Sequence, residues 1–347
     1  MPVSLMLAGG VFLLAYWITG RLCSPDSQLR LLDLPNERSL HTTPIPRTGG
    51  LAILVSLGSV VFVGHLWGAV GDSSSLWITG SAVLIGVVSF WDDRTGLPIV
   101  VRFAVHGLAA VGVIWGAGLT LHVISVPFWG TFPLGWLAVP GTVVLLVWMT
   151  NLYNFMDGMD GFAGGMTVLG FGFWGALALQ AGHHSLAFLS MLIAAAAGGF
   201  LTYNIPPARI FMGDIGSVTL GFLAGALSLQ GVKDGLSDVW VPVLIFSPFI
   251  VDATVTLVRR LLKGEEIWRA HREHYYQRLV LAGWGHRKTV LAEYMLMLVC
   301  GISAVVYVQV SEPWRLMILL GWMAVYTVLM WGVCVAERQA KVVGAAG

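Results

Sequence analysis

The sequence of 347 residues has few charged side chains, since Asp, Glu, Lys and Arg together make up only 11% of it. Soluble domains carry about 25% of these residues, which cover a surface that faces water. The composition therefore excludes a soluble globular enzyme. It also excludes a disordered chain, which needs low hydrophobicity and high charge, because hydrophobic residues make up 57% of this sequence. A multi-spanning membrane protein remains.

Cysteine and net charge are also scarce. The three cysteines, Cys23, Cys300 and Cys334, are too few and too scattered for a disulfide framework or a thiolate metal site. The net charge is +1, from 19 basic and 18 acidic residues. Bulk charge therefore gives no indication of a nucleic-acid partner.

Continuous apolar runs predict how many times the chain crosses the membrane. Most of them are long enough to span about 30 Å of hydrocarbon, and none alternates as β-barrel strands do. The eleven runs are 3–20, 49–69, 76–91, 100–118, 134–150, 162–180, 185–203, 216–231, 239–257, 290–309 and 314–335. The first run lacks the basic flank and cleavage site of a signal peptide, so it counts as a span. We predict an all-α, polytopic integral membrane protein with about 11 transmembrane helices in one domain, 1–347.

The charges of the loops predict the orientation of these spans. One set of loops contains 17 of the 19 Lys and Arg residues, and the opposite set contains only Lys233 and Arg315. The basic set comprises 21–48, 92–99 with the adjoining Arg102, 151–161, 204–215, 258–289 and 336–347. Because cytoplasmic loops are enriched in Lys and Arg, we expect the N-terminus outside and the C-terminus in the cytoplasm.

Acidic residues gather on the same basic side of the membrane, so we expect the chemistry there. Asp92 and Asp93 end the third span. Neighbouring side chains on a helix point about 100° apart, so this pair can serve two partners, one a divalent cation and the other a proton or a phosphate. The structural alternative is a solvated helix end.

The segment 151–165 carries polar side chains at every third position, namely Asn151, Asn154, Asp157 and Asp160. In a helix this spacing fans the side chains by about 60° per step, so that they surround one ligand such as a ribose, a base edge or a cation. The alternative is a polar turn between two spans, with an Asp as the N-cap.

The loop from Asn204 to Asp214 contains two adjacent prolines and ends at the next apolar span. Asp214 is placed either to bind Mg²⁺ through oxygen or to cap the helix that follows. Phe211 is placed either to stack on a flat ring or to anchor the loop at the membrane interface.

Two further loops on the basic side carry polar motifs. The loop 258–289 holds eight basic residues together with His271 and His274. This set suits phosphate binding. The alternative is that the positive charges only keep the loop in the cytoplasm. The histidines lack a further ligand at a spacing typical of zinc sites. The first loop, 21–48, is stiffened by three prolines and is ambiguous by itself.

In this order the segments resemble the polyprenyl-phosphate N-acetylhexosamine-1-phosphate transferases, over essentially the whole chain. The resemblance rests on Asp-Asp, then Asn-x-x-Asn-x-x-Asp-Gly-x-Asp-Gly, then Pro-Ala-Arg-x-Phe-Met-Gly-Asp-x-Gly-Ser. It implies transfer of a sugar-1-phosphate from a UDP-sugar to undecaprenyl phosphate, with release of UMP. It also implies Mg²⁺, with Mn²⁺ as an alternative, and a bacterial inner-membrane enzyme whose active site faces the cytoplasm.

The resemblance also implies a role for each matching residue. Asp92 and Asp93 are expected to handle the acceptor phosphate, one of them as its base, and Asp214 to bind the metal with help from Asn154. The positions that match a nucleotide site are Asn154, Asp157, Asp160, Asn204 and Phe211. The positions that match phosphate-binding residues are Arg102, His271, Arg272 and His274. The resemblance names membrane lipid as a further partner, leaves a homodimer open, and leaves both a one-step mechanism and an aspartyl-phosphate mechanism open.

Two departures favour one branch of this family. The branch that uses muramoyl-pentapeptide reads Asp-Asp-x-x-Lys and has three consecutive histidines, whereas this chain has Arg94-Thr-Gly after the Asp pair and a split His271-Arg-Glu-His274. The departures favour the initiators of O-antigen and similar glycans, which use N-acetylglucosamine, N-acetylgalactosamine or a deoxy variant.

Two other classes of membrane protein are alternatives to a transferase. A transporter usually places its polar residues and broken helices near the bilayer midplane, whereas here they gather at one face. An intramembrane aspartyl protease would use Asp214 with Asp157 or Asp160 as a dyad. Such a protease would leave the asparagines and the basic loop without a role.

Overall fold

The computed structural model describes residues 2–29, 31–35, 40–66, 73–266 and 271–346. Long helices dominate these ranges. They are α1 (Pro2–Cys23), α2 (Gly49–Leu66), α3 (Ser73–Thr95), α4 (Ile99–Gly116), α5 (Ala138–Phe155), α6 (Phe162–Gln180), α7 (His184–Asn204), α8 (Asp214–Lys233), α9 (Trp240–Leu262), the short α10 (Tyr275–Leu279), α11 (Gly285–Gln309) and α12 (Glu312–Ala346). A π-helical turn, Val280–Trp284, joins α10 to α11.

The predicted fold class is confirmed. Within the described ranges, ten helical segments are long and apolar enough to cross a membrane, and α2 is a somewhat shorter apolar helix. Each of the eleven predicted runs falls on one of these eleven segments. The chain is therefore an all-α integral membrane protein with about eleven spans.

Two small antiparallel hairpins were not predicted. Strand β1 (Leu32–Asp33) pairs with β2 (Ile45–Pro46) in the first basic loop. Strand β3 (Val123–Val126) pairs with β4 (Gly130–Pro133) in an uncharged loop on the opposite side. Both ladders are too short to give the period-two pattern by which strands are recognised in a sequence. Residues 36–39 of the first basic loop, and Arg269 of the loop 258–289, lie outside the described residues.

Several helices continue into segments that were predicted as loops. The end of α3 includes Asp92 and Asp93, α9 extends to Leu262, and α12 continues through most of the predicted tail 336–347. The loop 258–289 contains α10 and the π-helical turn. Charged residues end an apolar run in the sequence without ending the helix, because a helix leaving the membrane satisfies its backbone internally.

Helix α8 lies at the centre of the fold, and 94% of its apolar 18-residue stretch is buried. It packs against α3 and α5, and its glycines allow close approach. A Cβ atom on Gly221 would lie 2.5 Å from the carbonyl oxygen of Met149 on α5, and one on Gly216 would lie 2.8 Å from the Cα atom of Gly50 on α2. Small residues allow such backbone contacts in membrane helix bundles. This packing places Asp214, the first residue of α8, between the ends of α3 and α5.

Candidate active site

Arg102 joins the Asp pair of α3 to the start of α8. Its Nε atom lies 3.2 Å from Asp92 Oδ2, and its Nη2 atom lies 3.4 Å from Asp214 Oδ2. Asp92 also accepts a hydrogen bond from the backbone N–H of Leu97, at 2.6 Å, which ties the end of α3 to the turn before α4. Residues that are far apart in the sequence thus meet through one guanidinium.

Asp214 has a second polar partner on α5. The Nδ2 atom of Asn154 donates to Asp214 Oδ1 at 2.9 Å and to the hydroxyl of Ser217 at 3.0 Å. Asn154 occupies the last turn of α5, so the apolar packing of α5 against α8 fixes this contact. Asn154 thus contacts the carboxylate that is expected to bind the metal, and its own part in metal binding stays a prediction.

Asp93 faces a different partner from Asp92, as the 100° offset predicts. Arg47 Nη1 lies 3.5 Å from Asp93 Oδ1, and Arg47 Nη2 donates to the Asp93 carbonyl oxygen at 2.7 Å. Gly213 lies against both residues with φ of 71°, and a Cβ atom there would collide with the Arg47 carbonyl oxygen. Only glycine fits this position without strain. Arg47 was missed by the sequence analysis, because no spacing links it to Asp93.

Asp157 lies in the loop between α5 and α6 and is partly buried. Burial raises the pKa of its carboxyl group well above the usual value, and the nearby carboxylates Asp214, Asp93 and Asp33 raise it further. Like charges this close are unfavourable without a cation. The arrangement of these side chains therefore favours a bound cation or a shared proton.

Asp160 and Asn204 hold the loop before α8 in place. Asp160 accepts a hydrogen bond from Ala208 N at 3.0 Å and lies 3.0 Å from His286 Nδ1. The Asn204 amide accepts from Gly161 N at 3.0 Å and donates to the Ile210 carbonyl oxygen at 2.8 Å. Both side chains bind backbone groups in this structure. We therefore expect them to affect nucleotide binding by holding the loop before α8 in position.

The four polar residues of 151–160 do not surround one ligand, contrary to the prediction. The helix ends at Phe155, so the 60° fan is interrupted. Asn151 donates to the Val147 carbonyl oxygen at 2.7 Å and lies 3.4 Å from His106 Nδ1, on the side of α4. Asn154 and Asp157 lie with Asp92, Asp93 and Asp214, a group that we call the carboxylate cluster. Asp160 lies just before α6 and accepts a hydrogen bond from the loop that follows α7.

Phe211 lies beside the first hairpin. Its ring meets that of His41 edge-on, with centroids 4.9 Å apart. Its backbone N–H donates to the Pro46 carbonyl oxygen at 2.7 Å, and its carbonyl oxygen accepts from Gly49 N at 2.9 Å. The ring is partly exposed, so a face is available to a second flat ring.

The carboxylate of Asp252 on α9 anchors residues 271–276, which we call the histidine loop. The sequence analysis did not identify Asp252. Its Oδ1 atom accepts from Tyr275 N at 3.0 Å, its Oδ2 atom accepts from Tyr276 N at 3.1 Å, and His274 Nδ1 lies 3.2 Å from Oδ1. An acceptor at Nδ1 fixes the tautomer of a histidine ring. Tyr276 OH also donates to the Phe155 carbonyl oxygen at 3.2 Å, which joins this loop to the end of α5.

The structure separates the three predicted phosphate ligands of this loop. The rings of His271 and His274 lie 4.9 Å apart, on the side of Asp252. Burial, together with the neighbouring His274 and Arg260, lowers the pKa of His271 to about 4, so His271 is neutral at pH 7. Arg272 is exposed and lines a cleft beside α12 instead.

The side chains around Asp214 fit a divalent cation that arrives with a phosphate. Among the described residues, no group of three or more His, Cys, Asp or Glu side chains forms a ready metal centre. Mg²⁺ is usually held by one or two carboxylates together with substrate phosphates. Asp214 fits this pattern, with the carboxyl groups of Asp93 and Asp157 nearby. Asn154 presents its amide nitrogen to Asp214, so the metal role predicted for it would require its carbonyl oxygen instead.

Comparison with known proteins gives consistent matches. The sequence model described as "Glycosyl transferase family 4" matches residues 75–232. The chain is 35% identical to the "Probable undecaprenyl-phosphate N-acetylglucosaminyl 1-phosphate transferase" of Bacillus subtilis, over 79% of this chain and 76% of the relative. It is 30% identical to the "Decaprenyl-phosphate N-acetylglucosaminephosphotransferase" of Mycobacterium tuberculosis, over 82% and 77%. It is 32% identical to the "Phospho-N-acetylmuramoyl-pentapeptide-transferase" of Moorella thermoacetica, over 66% and 74%.

Proposed function

Because the chain belongs to glycosyl transferase family 4, we propose that it transfers an N-acetylhexosamine-1-phosphate from a UDP-sugar to a polyprenyl phosphate. In the one-step form of this reaction, an oxygen of the lipid phosphate attacks the β-phosphorus of the donor. The bond from that phosphorus to the α,β-bridging oxygen breaks, and UMP leaves. The product is a sugar linked to the lipid through a diphosphate.

One observation supports this proposal above the others, namely the continuous contact from Asp92 through Arg102 and Asp214 to Asn154. Phosphoryl transfer requires that phosphates be positioned and their charge neutralised. A guanidinium held between two carboxylates can turn to a phosphate, which it binds in a fork geometry. The carboxylates then remain for a cation and a proton.

We assign the acceptor to the α3 side of this cluster. Asp92 and Asp93 lie at the end of α3, and each is held by its own arginine, Arg102 or Arg47. One of the two carboxylates serves as the base for the lipid phosphate. Arg102, in contact with Asp92, is placed to orient that phosphate.

We assign the donor to the part of the site that contains Phe211 and Asp157. The ring of Phe211 would stack on uracil, while the loop held by Asp160 and Asn204 shapes the uridine site. His271 and His274 are proposed to bind the phosphates of the donor, whereas Arg272 lines the cleft beside α12 and is left out of this group. Mg²⁺, held by Asp214 with Asn154 beside it, would neutralise charge on the diphosphate as UMP departs.

The donor sugar that we favour is N-acetylglucosamine. Two relatives that align over 79% and 82% of this chain carry N-acetylglucosamine in their names. The split His271-Arg-Glu-His274 also departs from the three histidines of the muramoyl-pentapeptide branch. We further propose that the reaction starts a lipid-linked glycan such as O-antigen, at the cytoplasmic face of a bacterial inner membrane.

The proposal is tested with membranes from cells that overproduce the chain. Radiolabelled UDP-N-acetylglucosamine and undecaprenyl phosphate should give a labelled product that is extracted into butanol, and UDP-N-acetylgalactosamine should give less. Membranes with Asp214→Asn serve as the control. Label that is taken up into vesicles but stays water-soluble would contradict a transferase and favour a transporter.

A further inference from the structure

An open cleft of about 620 Å³ lies at the basic side of the protein, away from the carboxylate cluster. It is formed by the end of α9, the histidine loop, the π-helical turn and the end of α12. Its lining residues are Arg259, Lys263, Arg272, Glu273, Arg278, Leu281, Ala282, Glu337, Ala340 and Lys341. The cleft and the carboxylate cluster share no residue.

The lining of the cleft is strongly basic. Five of the lining side chains are cationic and two are acidic, which gives a net charge of +3. The two carboxylates are already engaged, Glu273 with Arg259 at 3.0 Å and Glu337 with Arg278 at 2.7 Å. Lys263 and Lys341 lie farther from acidic groups, 3.8 Å from Glu265 and 3.7 Å from Glu337. The lining therefore keeps an excess of positive charge that an anion can neutralise.

Arg278 shows that the cleft is built to hold such an anion. Its side chain is only 10% exposed, and its Nη2 atom donates to Glu337. Its Nη1 atom is buried and has no hydrogen-bond partner in the described part of the chain. A buried guanidinium with an unused donor is costly unless a ligand completes it. An anion in the cleft would supply that partner.

Exposed apolar side chains adjoin the lining of the cleft, and we call them its apolar rim. Leu262, at the end of α9, is 82% exposed, and Leu281 is 53% exposed on the π-helical turn. Trp284, close to Leu281 in the chain, is exposed as well. Trp is typical of the membrane interface. A ligand with both an anionic group and hydrocarbon chains would match this pairing of basic lining and apolar rim.

We propose that this cleft binds the anionic headgroup of a membrane phospholipid, with the acyl chains lying along Leu262 and Leu281. The phosphate would accept hydrogen bonds from Arg278 Nη1 and from Lys263 or Lys341. Basic pockets between transmembrane helices on the cytoplasmic side are known to hold such headgroups. The bound lipid would join the end of α12 to α9 and the histidine loop, so that membrane composition affects the histidine loop.

The experiment compares two double variants that remove the same charge. Lys263→Gln with Lys341→Gln changes the cleft, and both side chains are more than half exposed, so folding should be unaffected. Arg21→Gln with Lys288→Gln changes two exposed cations of the same predicted membrane face, outside the cleft. Native mass spectrometry of the full-length protein in detergent measures the binding of added phosphatidylglycerol and of phosphatidylcholine.

The cleft variant should bind phosphatidylglycerol about tenfold more weakly than the wild type, since each lysine near an anionic headgroup contributes on the order of a few-fold or more. The control variant should bind it within about twofold of the wild type. Equal weakening in both variants, or equally tight phosphatidylcholine binding by the wild type, would overturn the proposal. Displacement of the lipid by millimolar glycerol 3-phosphate would show that a free phosphate suffices, and would overturn the lipid assignment. None of these outcomes depends on the proposed transferase activity.

Discussion

The anchoring of the histidine loop by Asp252 predicts a large effect for a conservative change, Asp252→Asn. The carboxylate accepts from Tyr275 N and His274 Nδ1 at Oδ1 and from Tyr276 N at Oδ2. An asparagine can keep an acceptor at the Oδ1 position. Its amide nitrogen then faces the Tyr276 N–H at the distance of a hydrogen bond, so two donors oppose each other. The loop should leave this position for part of the time.

The size of the effect follows from the bonds that are lost. A hydrogen bond to a charged group contributes about 1.5–3 kcal/mol, and each 1.4 kcal/mol is about tenfold in an equilibrium. We therefore expect kcat/KM for the donor to fall about 10- to 100-fold. The fall should come with unchanged expression, because the apolar packing of α9 does not involve this carboxylate.

The matched control lies just before the start of the same helix. Asp238 accepts from Trp240 N at 3.0 Å and from Tyr307 OH at 3.0 Å, so Asp238→Asn disturbs a comparable set of bonds far from the histidine loop. We expect both variants to lose some thermal stability in detergent, while only Asp252→Asn loses activity. Activity of Asp252→Asn within about twofold of the wild type, or an equal loss in Asp238→Asn, would refute the reasoning.

Three further predictions concern the carboxylate cluster, the uridine site and the orientation. Asp214→Asn should reduce transferase activity at saturating Mg²⁺ to less than about a tenth of the wild-type rate, because an amide is a poor substitute for a metal-binding carboxylate; a smaller loss counts against the assignment. Phe211→Ala should raise the donor KM about five-fold, the effect of losing roughly 1 kcal/mol of stacking, and UMP should inhibit far better than CMP; equal inhibition by both refutes a uridine site. In a background without native cysteines, cysteines at Ser74 and Ser237 should react with an impermeant thiol reagent in intact cells while one at Ser39 stays unreactive, and the reverse pattern overturns the orientation.

The sequence predicted the parts of this structure that depend on local pattern. Eleven apolar runs predicted eleven apolar helical segments, because a chain in lipid has few alternatives to the helix. Asp92, Asp93, Asn154 and Asp214 were each recognised as isolated polar groups at span ends. In the structure Arg102 contacts Asp92 and Asp214. Asn154 contacts Asp214, and Asp93 follows Asp92 in the chain.

Other features depend on contacts between segments that no spacing reveals. Asp252 lies inside an apolar helix and was absorbed into a predicted span, although its partners are the backbone N–H groups of the loop at 275–276. Arg47 entered the sequence analysis only as one of the charges that predict the orientation of the spans, yet it contacts Asp93. The prediction that the polar side chains of 151–160 surround one ligand was wrong. It assumed a continuous helix, and the helix end at Phe155 cannot be located from polar periodicity alone.

The central claim is that a sugar-1-phosphate is transferred, and the fate of each donor phosphate tests it most directly. Purified protein is given undecaprenyl phosphate and either of two preparations of UDP-N-acetylglucosamine, one labelled with ³²P at the β-phosphate and one at the α-phosphate. The proposed reaction moves the β label into the butanol-extractable lipid and leaves the α label in water-soluble UMP. Transfer of sugar without phosphate would leave both labels in UDP, and that result would contradict the account.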